Sequence, residues 1–362
     1  MSNNNTYVAI MAGGVGSRFW PASREKKPKQ FLDILGIGKS LLRITFERFL
    51  NLVPASNILI VTNEMYKDLV LEHIPEISED QILCEPSRNN TAPCITYTAL
   101  KLKSKDPNAV FVVAPSDHII LKENVFINNI QKAVDFAAKQ NVLVTLGIEP
   151  TRPDTGYGYI NYLNKNEDQN GIHKVKRFTE KPDLDTARFF VSSGEYLWNA
   201  GIFVWHVDHL LEAISKYAPG VLEILEKGAA DYNTERESKF IKENYPNTPN
   251  ISIDYAIMEK ADNIYTIPSD LGWSDLGTWA SLYEECPKDD KGNVVHTKTA
   301  MVMDSEDCLI KTPKDKLIVI KGLKDFIVID EKDVLMIYPK SKEQEVKQVT
   351  QAVEKQFHSQ FS

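Results

Sequence analysis

Gly13-Gly14-Val15-Gly16-Ser17-Arg18, followed eleven residues later by Lys29, sets a glycine turn beside two strong cations directly after the apolar run Tyr7-Val8-Ala9-Ile10. Glycine lets backbone N–H groups approach an anion closely, while arginine offers a planar fork and lysine a point charge to phosphate oxygens. The chemistry implied is polyphosphate binding with stabilisation of charge that develops during transfer. Two better-known phosphate loops do not fit. Phe19 stands where a dinucleotide fingerprint needs its third glycine, and Asp33 stands where a Walker A loop ending in Gly38-Lys39-Ser40 needs its first. Arg18, Arg24, Lys26, Lys27 and Lys29 are opposed within the segment only by Glu25, so a solvated basic face is the plainer alternative, and Lys26 and Lys27 receive no role.

Phosphate transfer calls for a divalent cation, which prefers carboxylate oxygens. Asp117, in Pro115-Ser116-Asp117-His118, follows an apolar run at the edge where open α/β sheets bind ligands; Asp275, in Trp273-Ser274-Asp275-Leu276-Gly277-Thr278-Trp279, lies in a turn-rich segment. Either could instead cap a helix. The loop Glu85-Pro86-Ser87-Arg88-Asn89-Asn90-Thr91 carries groups able to read a base edge or simply to cap the helix after it. Gly156-Tyr157-Gly158, Glu180-Lys181-Pro182 and Trp198-Asn199-Ala200-Gly201 combine polar groups with rings, as sugar sites do, though each alone could be a turn. His206-Val207-Asp208-His209 has poor metal spacing and reads as a helix start; no G-x-S-x-G elbow supports a hydrolase.

The elements that must position these residues alternate. Strand-like runs at 7–12, 58–61, 110–114 and 142–146 are separated by helical patterns at 40–52, with Ser40 as cap, 92–104 and 124–140. Continuous apolar runs between helices predict parallel strands covered on both faces. The pattern is strand-rich from 154 to 205 and helical at 207–227, 234–244 and 252–260. Short β runs follow at 300–303, 316–320, 326–330 and 334–338, and a closing helix after Ser341. The predicted division is a catalytic domain over 1–288 and a small β-rich domain over 289–362.

The chain has 362 residues and a formal net charge of −8, which argues against a nucleic-acid or anionic-membrane surface. No apolar run approaches the roughly 20 residues of a membrane span. The polar start, Met1 to Asn5, lacks signal-peptide character, so the expected location is the cytoplasm. Cys84, Cys94, Cys286 and Cys308 show no zinc or redox spacing and read as reduced thiols.

Taken in order, "AGGVGSRFWPASREKKPKQF", "EPSRNNTAPC", "PSDH", "TGYGYI", "FTEKP", "WNAGIFVW", "SIDYAIMEK" and "WSDLGTW" resemble bacterial mannose-1-phosphate guanylyltransferases, the GDP-mannose pyrophosphorylases, over about residues 6 to 285. The resemblance implies an α/β nucleotide-diphosphosugar transferase fold, glycosyltransferase-A-like and Rossmann-like, with a mixed sheet flanked by helices and a small C-terminal β-helix-like domain. It implies a Mg²⁺-assisted reaction of GTP with α-D-mannose 1-phosphate to give GDP-mannose and diphosphate, in a homodimer. Carried over by position, Arg18, Lys29 and Lys181 are catalytic. Ala12, Gly13, Gly14, Gly16, Ser17, Glu85, Arg88, Asn89 and Ser116 bind the nucleotide. Gly156, Tyr157, Glu180 and Asn199 contact the sugar, Lys181 its phosphate, and Asp117 and Asp275 the metal. The length leaves no room for the second, isomerase domain that many members carry, so no isomerase activity is expected. The two alternatives are a guanylyltransferase for another sugar 1-phosphate, such as manno-heptose 1-phosphate, and a silent GDP-mannose-binding regulator. Against the silent regulator stands the retention of Arg18, Lys29, Asp117 and Asp275.

Overall fold

The apolar runs of the first two thirds of the chain become strands of one sheet, buried along nearly their whole length because helices cover it. The computed structural model describes residues 5–167, 171–297, 299–313 and 316–361; Met1–Asn4, most of the polar start, lie outside them. The chain divides into two units, Met1–Gly13 with Thr45–Ser116 and Ile120–Trp273, and Gly14–Ile44 with Asp117–Ile119 and Ser274–Ser362.

Among the described residues the first unit holds a nine-stranded sheet. Its spatial order is Ile82–Glu85, Ile58–Asn63, Thr6–Met11, Val110–Pro115, Tyr196–His206, Leu143–Ile148, Ile264–Pro268, His173–Thr179 and Tyr159–Glu167. Thr6–Met11 pairs in parallel with the strands on both its sides, as the apolar runs predict. Tyr196–His206 makes the sheet mixed, as the resemblance implies: it enters the sheet centre antiparallel to both Val110–Pro115 and Leu143–Ile148. A doubly covered strand is apolar whichever way it runs, so the run Ile202-Phe203-Val204-Trp205 carries no directional signal.

Helix Thr91–Lys105 is capped by the Asn90 side chain, which accepts from Thr91 N at 2.9 Å, and buries most of its length against the sheet. Helix Val207–Tyr217 begins at His206, whose Nδ1 accepts from Asp208 N at 3.2 Å, so the histidine pair is a helix start. The core of this unit contains Leu59, Val61, Ile95, Phe111, Val113, Phe203 and Trp205. Burying each such side chain stabilises the fold by about 1.5–3 kcal/mol before entropy is subtracted.

In the second unit Val294–His296, Leu309–Lys311 and Phe326–Asp330 stack in parallel, with Val294, Leu309 and Ile327 in register one above another. Ala300–Met303 pairs in parallel with Ile318–Lys321, and Leu335–Pro339 closes the stack antiparallel to Phe326–Asp330. Helix Val346–Phe357 follows. Val294, Leu309, Ile327, Ile329 and Val346 share one core with Phe19, Trp20, Ile34, Leu276 and Trp279. The β-rich tail and the glycine-rich segment are therefore one packed body, a relation invisible in local sequence. Among the described residues no helix is long and apolar enough to cross a membrane.

Candidate active site

The glycine-rich segment owes its shape to Gly16, which is left-handed at φ 69° and opens the short 3₁₀ turn Ser17–Phe19. A Cβ there would lie 2.5 Å from Lys29 Cβ, so the position needs glycine for its backbone and for its space. The return of the chain is pinned by Lys29 N donating to Val15 O at 3.4 Å and by the Ser23 hydroxyl donating to the same carbonyl. Gly14 is exposed, and an added Cβ would meet nothing within 4 Å.

Lys29 is the pivot of this unit. Its Nζ lies 2.9 Å from Asp117 Oδ2 and donates to the Asp275 carbonyl at 2.7 Å, although the side chain is only 5% exposed. It also stands over the Phe19 ring at 5.4 Å. Burial alone would push the Asp117 carboxyl up; the Lys29 ammonium, with His118 nearby, outweighs it and holds Asp117 below its ordinary range. Aromatic packing fixes the two ends of this arrangement. Phe19 and Trp279 lie 4.7 Å apart, and Trp279 Nε1 donates to Trp20 O at 3.1 Å. Phe19 and Trp20 on one segment and Trp279 on the other thus tie Lys29 to Asp275.

The basic segment is less free than its composition suggests. Arg24 donates to both carboxylate oxygens of Asp333 at 2.7 and 2.6 Å, so it serves the β-rich tail rather than an anion. Arg18 is exposed and has no hydrogen bond or ion pair with any described residue; Lys26 and Lys27 are exposed as well. Ser17 lies in the 3₁₀ turn. Neither aspartate caps a helix. The Asp275 side chain accepts from Gly277 N at 3.0 Å in a tight turn, and Thr278 caps the helix that follows.

Among the described residues no group of three or more His, Cys, Asp or Glu is arranged to hold a metal. A hard divalent cation can take as few as one or two carboxylates from protein and complete its oxygen shell with phosphates and water. Asp117 and Asp275 supply such oxygens, and the Asp117 side chain is 32% exposed.

In the first unit, Ala12 is held by its N–H donating to Val61 O and by Thr62 Oγ1 donating to Ala12 O, both at 2.7 Å. Ser116 is buried, and its N–H donates to Met11 O at 3.0 Å. Gly13 faces Glu85, whose Oε2 lies 3.7 Å from where a Cβ would stand. Burial pushes the Glu85 carboxyl up to about 7, against the pull of the Tyr245 hydroxyl, which donates to it, and of Arg88. The exposed Arg88 donates to Tyr66 Oη at 3.1 Å. Asn89 is buried and spends its amide N–H groups on the loop at Tyr245–Thr248, at 2.9 Å to both Thr248 O and Oγ1. Its visible work is to anchor that loop.

The residues expected to contact sugar also gather in this unit. Gly158 has no room for a Cβ because the Glu180 carboxylate lies against it. Glu180 Oε1 pairs with Lys181 Nζ at 2.7 Å, and Lys181 is exposed, with φ 46°. Tyr157 packs edge-on against Trp198 and Trp273 at 5.0 and 5.4 Å. Gly156 N donates to Asp154 Oδ1 at 2.8 Å. Asn199 pairs with Gly147 beside a register shift in its strand; its Oδ1 accepts from Thr145 Oγ1 at 3.0 Å and its Nδ2 donates to Asp254 Oδ1 at 3.0 Å. Asp254 escaped the sequence reading. It sits inside "SIDYAIMEK", and an acid within so apolar a stretch was the available signal.

A family model described as nucleotidyl transferase matches residues 7–292. The chain belongs to the nucleotidyl transferase family. A second model, described as a mannose-phosphate isomerase/GMP-like β-helix domain, matches residues 298–353 of this family member. The chain is 36% identical over 351 residues to a mannose-1-phosphate guanylyltransferase of Escherichia coli, covering 94% of this chain and 74% of that one. It is 38% identical over 328 residues to a mannose-1-phosphate guanylyltransferase of Salmonella montevideo, covering 88% and 67%. The crystal structure of a Thermus thermophilus protein, described as a mannose-1-phosphate geranyltransferase, superposes with a TM-score of 0.85 at 29% identity over 97% of this chain and 99% of that one. Nucleotidyl transferases of this kind generally use a divalent metal.

Proposed function

We propose that this enzyme transfers GMP from GTP to α-D-mannose 1-phosphate, releasing diphosphate and forming GDP-mannose. The observation that carries the reading is the buried Lys29 ammonium, fixed between the Asp117 carboxylate and the Asp275 carbonyl at the foot of a glycine turn. A lysine is seldom buried without such partners, and one so held is a preorganised charge for phosphate.

The roles follow from the chemistry of each cluster. A phosphate monoester has a second pKa near 6, so at neutral pH the sugar phosphate is already anionic and needs no general base. One of its oxygens attacks the α-phosphorus of GTP; the new P–O bond forms as the bond to the β-phosphate oxygen breaks, and diphosphate leaves with that electron pair. The difficulty is bringing anions together. Gly13, Gly14, Gly16 and Ser17 offer backbone N–H groups to the triphosphate, Arg18 offers a guanidinium with no other partner among the described residues, and Lys29 offers its fixed charge. Asp117 and Asp275 would hold Mg²⁺, which when bound neutralises phosphate charge. Ala12 and Ser116 hold the backbone from which this turn and Asp117 start.

Glu85 suits guanine in particular. The base presents two adjacent N–H donors on one edge, and an ionised carboxylate answers both with acceptors. Arg88 flanks it and Asn89 keeps the supporting loop in place. Gly156, Tyr157, Glu180 and Asn199 take the mannose ring, and Lys181 its phosphate. In function we keep the division into 1–288, which does the chemistry, and 289–362, which supports it. A homodimer is included because Met301 and Val319, cross-strand neighbours, are 53% and 59% exposed on the β-rich part.

The test is diphosphate release by purified protein with GTP, ATP, UTP or dTTP against a panel of sugar 1-phosphates. GTP with mannose 1-phosphate is expected to be the fastest pair. Higher kcat/KM with manno-heptose 1-phosphate would replace the sugar, and GDP-mannose binding without turnover by any pair would replace enzyme with regulator.

A further inference from the structure

Glu85 is held by a residue 160 positions away. Tyr245 opens the 3₁₀ turn Tyr245–Asn247, its side chain is fully buried, and its hydroxyl donates to Glu85 Oε1. Little at this turn is left to move. Thr248 N and Thr248 Oγ1 donate back to Tyr245 O at 3.0 and 2.8 Å, and Asn89 Nδ2 donates to Tyr245 O at 3.2 Å and to Thr248 O at 2.9 Å. The ring of Tyr97, on helix Thr91–Lys105, packs edge-on against Tyr245 at 6.5 Å. On the strand side Asn63 Nδ2 donates to Glu85 O at 3.1 Å, and the second carboxylate oxygen faces Gly13. Asn89 thus acts on the phenol that acts on Glu85.

We propose that Tyr245 selects the base: its hydroxyl aims Glu85 and keeps both carboxylate oxygens as acceptors, so that the site takes guanine and rejects adenine. This inference rests on the reading of Glu85 as the guanine contact. Guanine offers two adjacent N–H donors, which need two acceptors; adenine offers one acceptor beside one donor, the complement of a protonated carboxyl. The same side chain therefore favours opposite bases in its two states. Burial favours the protonated state and pushes Glu85 up to about 7, whereas the Tyr245 hydroxyl, a donor to the charged form, and then Arg88 pull it down. Among the described residues the other titratable groups around Glu85 add no charge. Cys84 beside it on the strand, Cys94 on helix Thr91–Lys105 and the Tyr245 phenol itself are all pushed up by burial and stay neutral near pH 7. Tyr245 is thus a positioning residue, which works on the nucleotide through Glu85 alone.

The experiment is calorimetric binding of GTP and of ATP, between pH 6 and 8.5, to the parent protein, Tyr245→Phe and Glu85→Gln. The ratio of the two dissociation constants is read, because titration of the phosphates is common to both nucleotides and cancels. In the parent, preference for GTP should rise as pH passes through about 7. Tyr245→Phe removes one oxygen and keeps the ring, so circular dichroism should be unchanged while the rise moves up by about one pH unit, the usual effect of a hydrogen bond to a charged group. At pH 7 the preference should then drop about fivefold, and it should be largely regained by pH 8.5. Glu85→Gln, which carries one donor and one acceptor at every pH, should show neither a preference for GTP nor a pH dependence. A preference unchanged in Tyr245→Phe, or one lowered equally at every pH, overturns the role of Tyr245. A Glu85→Gln protein that still prefers GTP overturns the guanine contact and the proposal with it. A carbon-13 NMR titration of carboxyl-labelled glutamates needs no nucleotide: a Glu85 midpoint raised in Tyr245→Phe supports the proposal, and an unmoved one overturns it. None of these readouts uses turnover, so absence of turnover with every sugar phosphate would sink the catalytic reading and leave this one to be decided by binding.

Discussion

Replacing Gly16 with alanine strikes a strained backbone and a buried cation at once. At φ 69° an alanine pays about 1–2 kcal/mol for left-handed geometry. Its Cβ would stand 2.5 Å from Lys29 Cβ, near the root of a side chain whose far end is fixed at 2.9 Å on Asp117 and 2.7 Å on Asp275 O. Such overpacking costs typically about 1–3 kcal/mol, for a total near 3 kcal/mol. That corresponds to a Tm lowered by roughly 4 °C in a chain of 362 residues. Because relief of the clash must move Lys29, kcat should fall by about 100- to 1000-fold, the usual effect of losing one preorganised electrostatic group. Gly14→Ala is the internal control: its φ is not left-handed and its Cβ would meet nothing within 4 Å, so Tm should change little. A raised KM for GTP is its expected signature, since the methyl group screens backbone from phosphate. Differential scanning calorimetry and initial rates decide. A Gly16→Ala protein that melts with the parent and turns over at the parental rate would refute the reasoning.

Lys29→Met should lower kcat by about 100- to 1000-fold, and it should let the Asp117 carboxyl rise because burial is then unopposed; rates and a carboxyl titration check both. Asp117→Asn should leave circular dichroism unchanged but raise the Mg²⁺ concentration needed for half-maximal rate, and an unaltered requirement would remove Asp117 from the metal. Glu85 has a folded pKa raised from 4.5 to about 7, so the folded state binds the extra proton between those values and the stability it contributes is present below 4.5 and lost as pH rises through 7. Glu85→Gln should therefore gain stability relative to the parent across that window, by at most about 3 kcal/mol, while losing affinity for GTP; urea titrations at pH 4.5 and 7.5 read the first effect and calorimetric binding the second. Val319→Glu should shift sedimentation from dimer to monomer without altering the rate per protomer.

The alternation of strands and helices was legible because period and burial are local properties, and Thr6–Met11, Thr91–Lys105 and Val110–Pro115 arose where the pattern put them. The direction of Tyr196–His206 was not, since a strand covered on both faces looks alike both ways. Lys29 could be singled out by its distance from Arg18, whereas its grip on Asp117 and Asp275 needed the fold. Arg24 shows the reverse case. Counted with the anion-binding cations, it meets Asp333, a partner 309 residues away. Asp254 was hidden for a similar reason: its hydrogen-bond partner, Asn199, lies 55 positions earlier, on a strand of the sheet.

The core shared by Phe19, Trp20 and Trp279 with Val294, Leu309, Ile327 and Val346 has a consequence for inheritance and for engineering. Family models part the chain between residues 292 and 298, as if the two stretches could be exchanged like cassettes. The packing forbids a free exchange. A substituted tail must bring its own match for the underside of the glycine turn, and a chain cut at that seam would expose the aromatic floor on which Lys29 stands. Drift in the tail strands is thereby answerable to nucleotide chemistry, and selection on the reaction reaches residues that never meet the substrate.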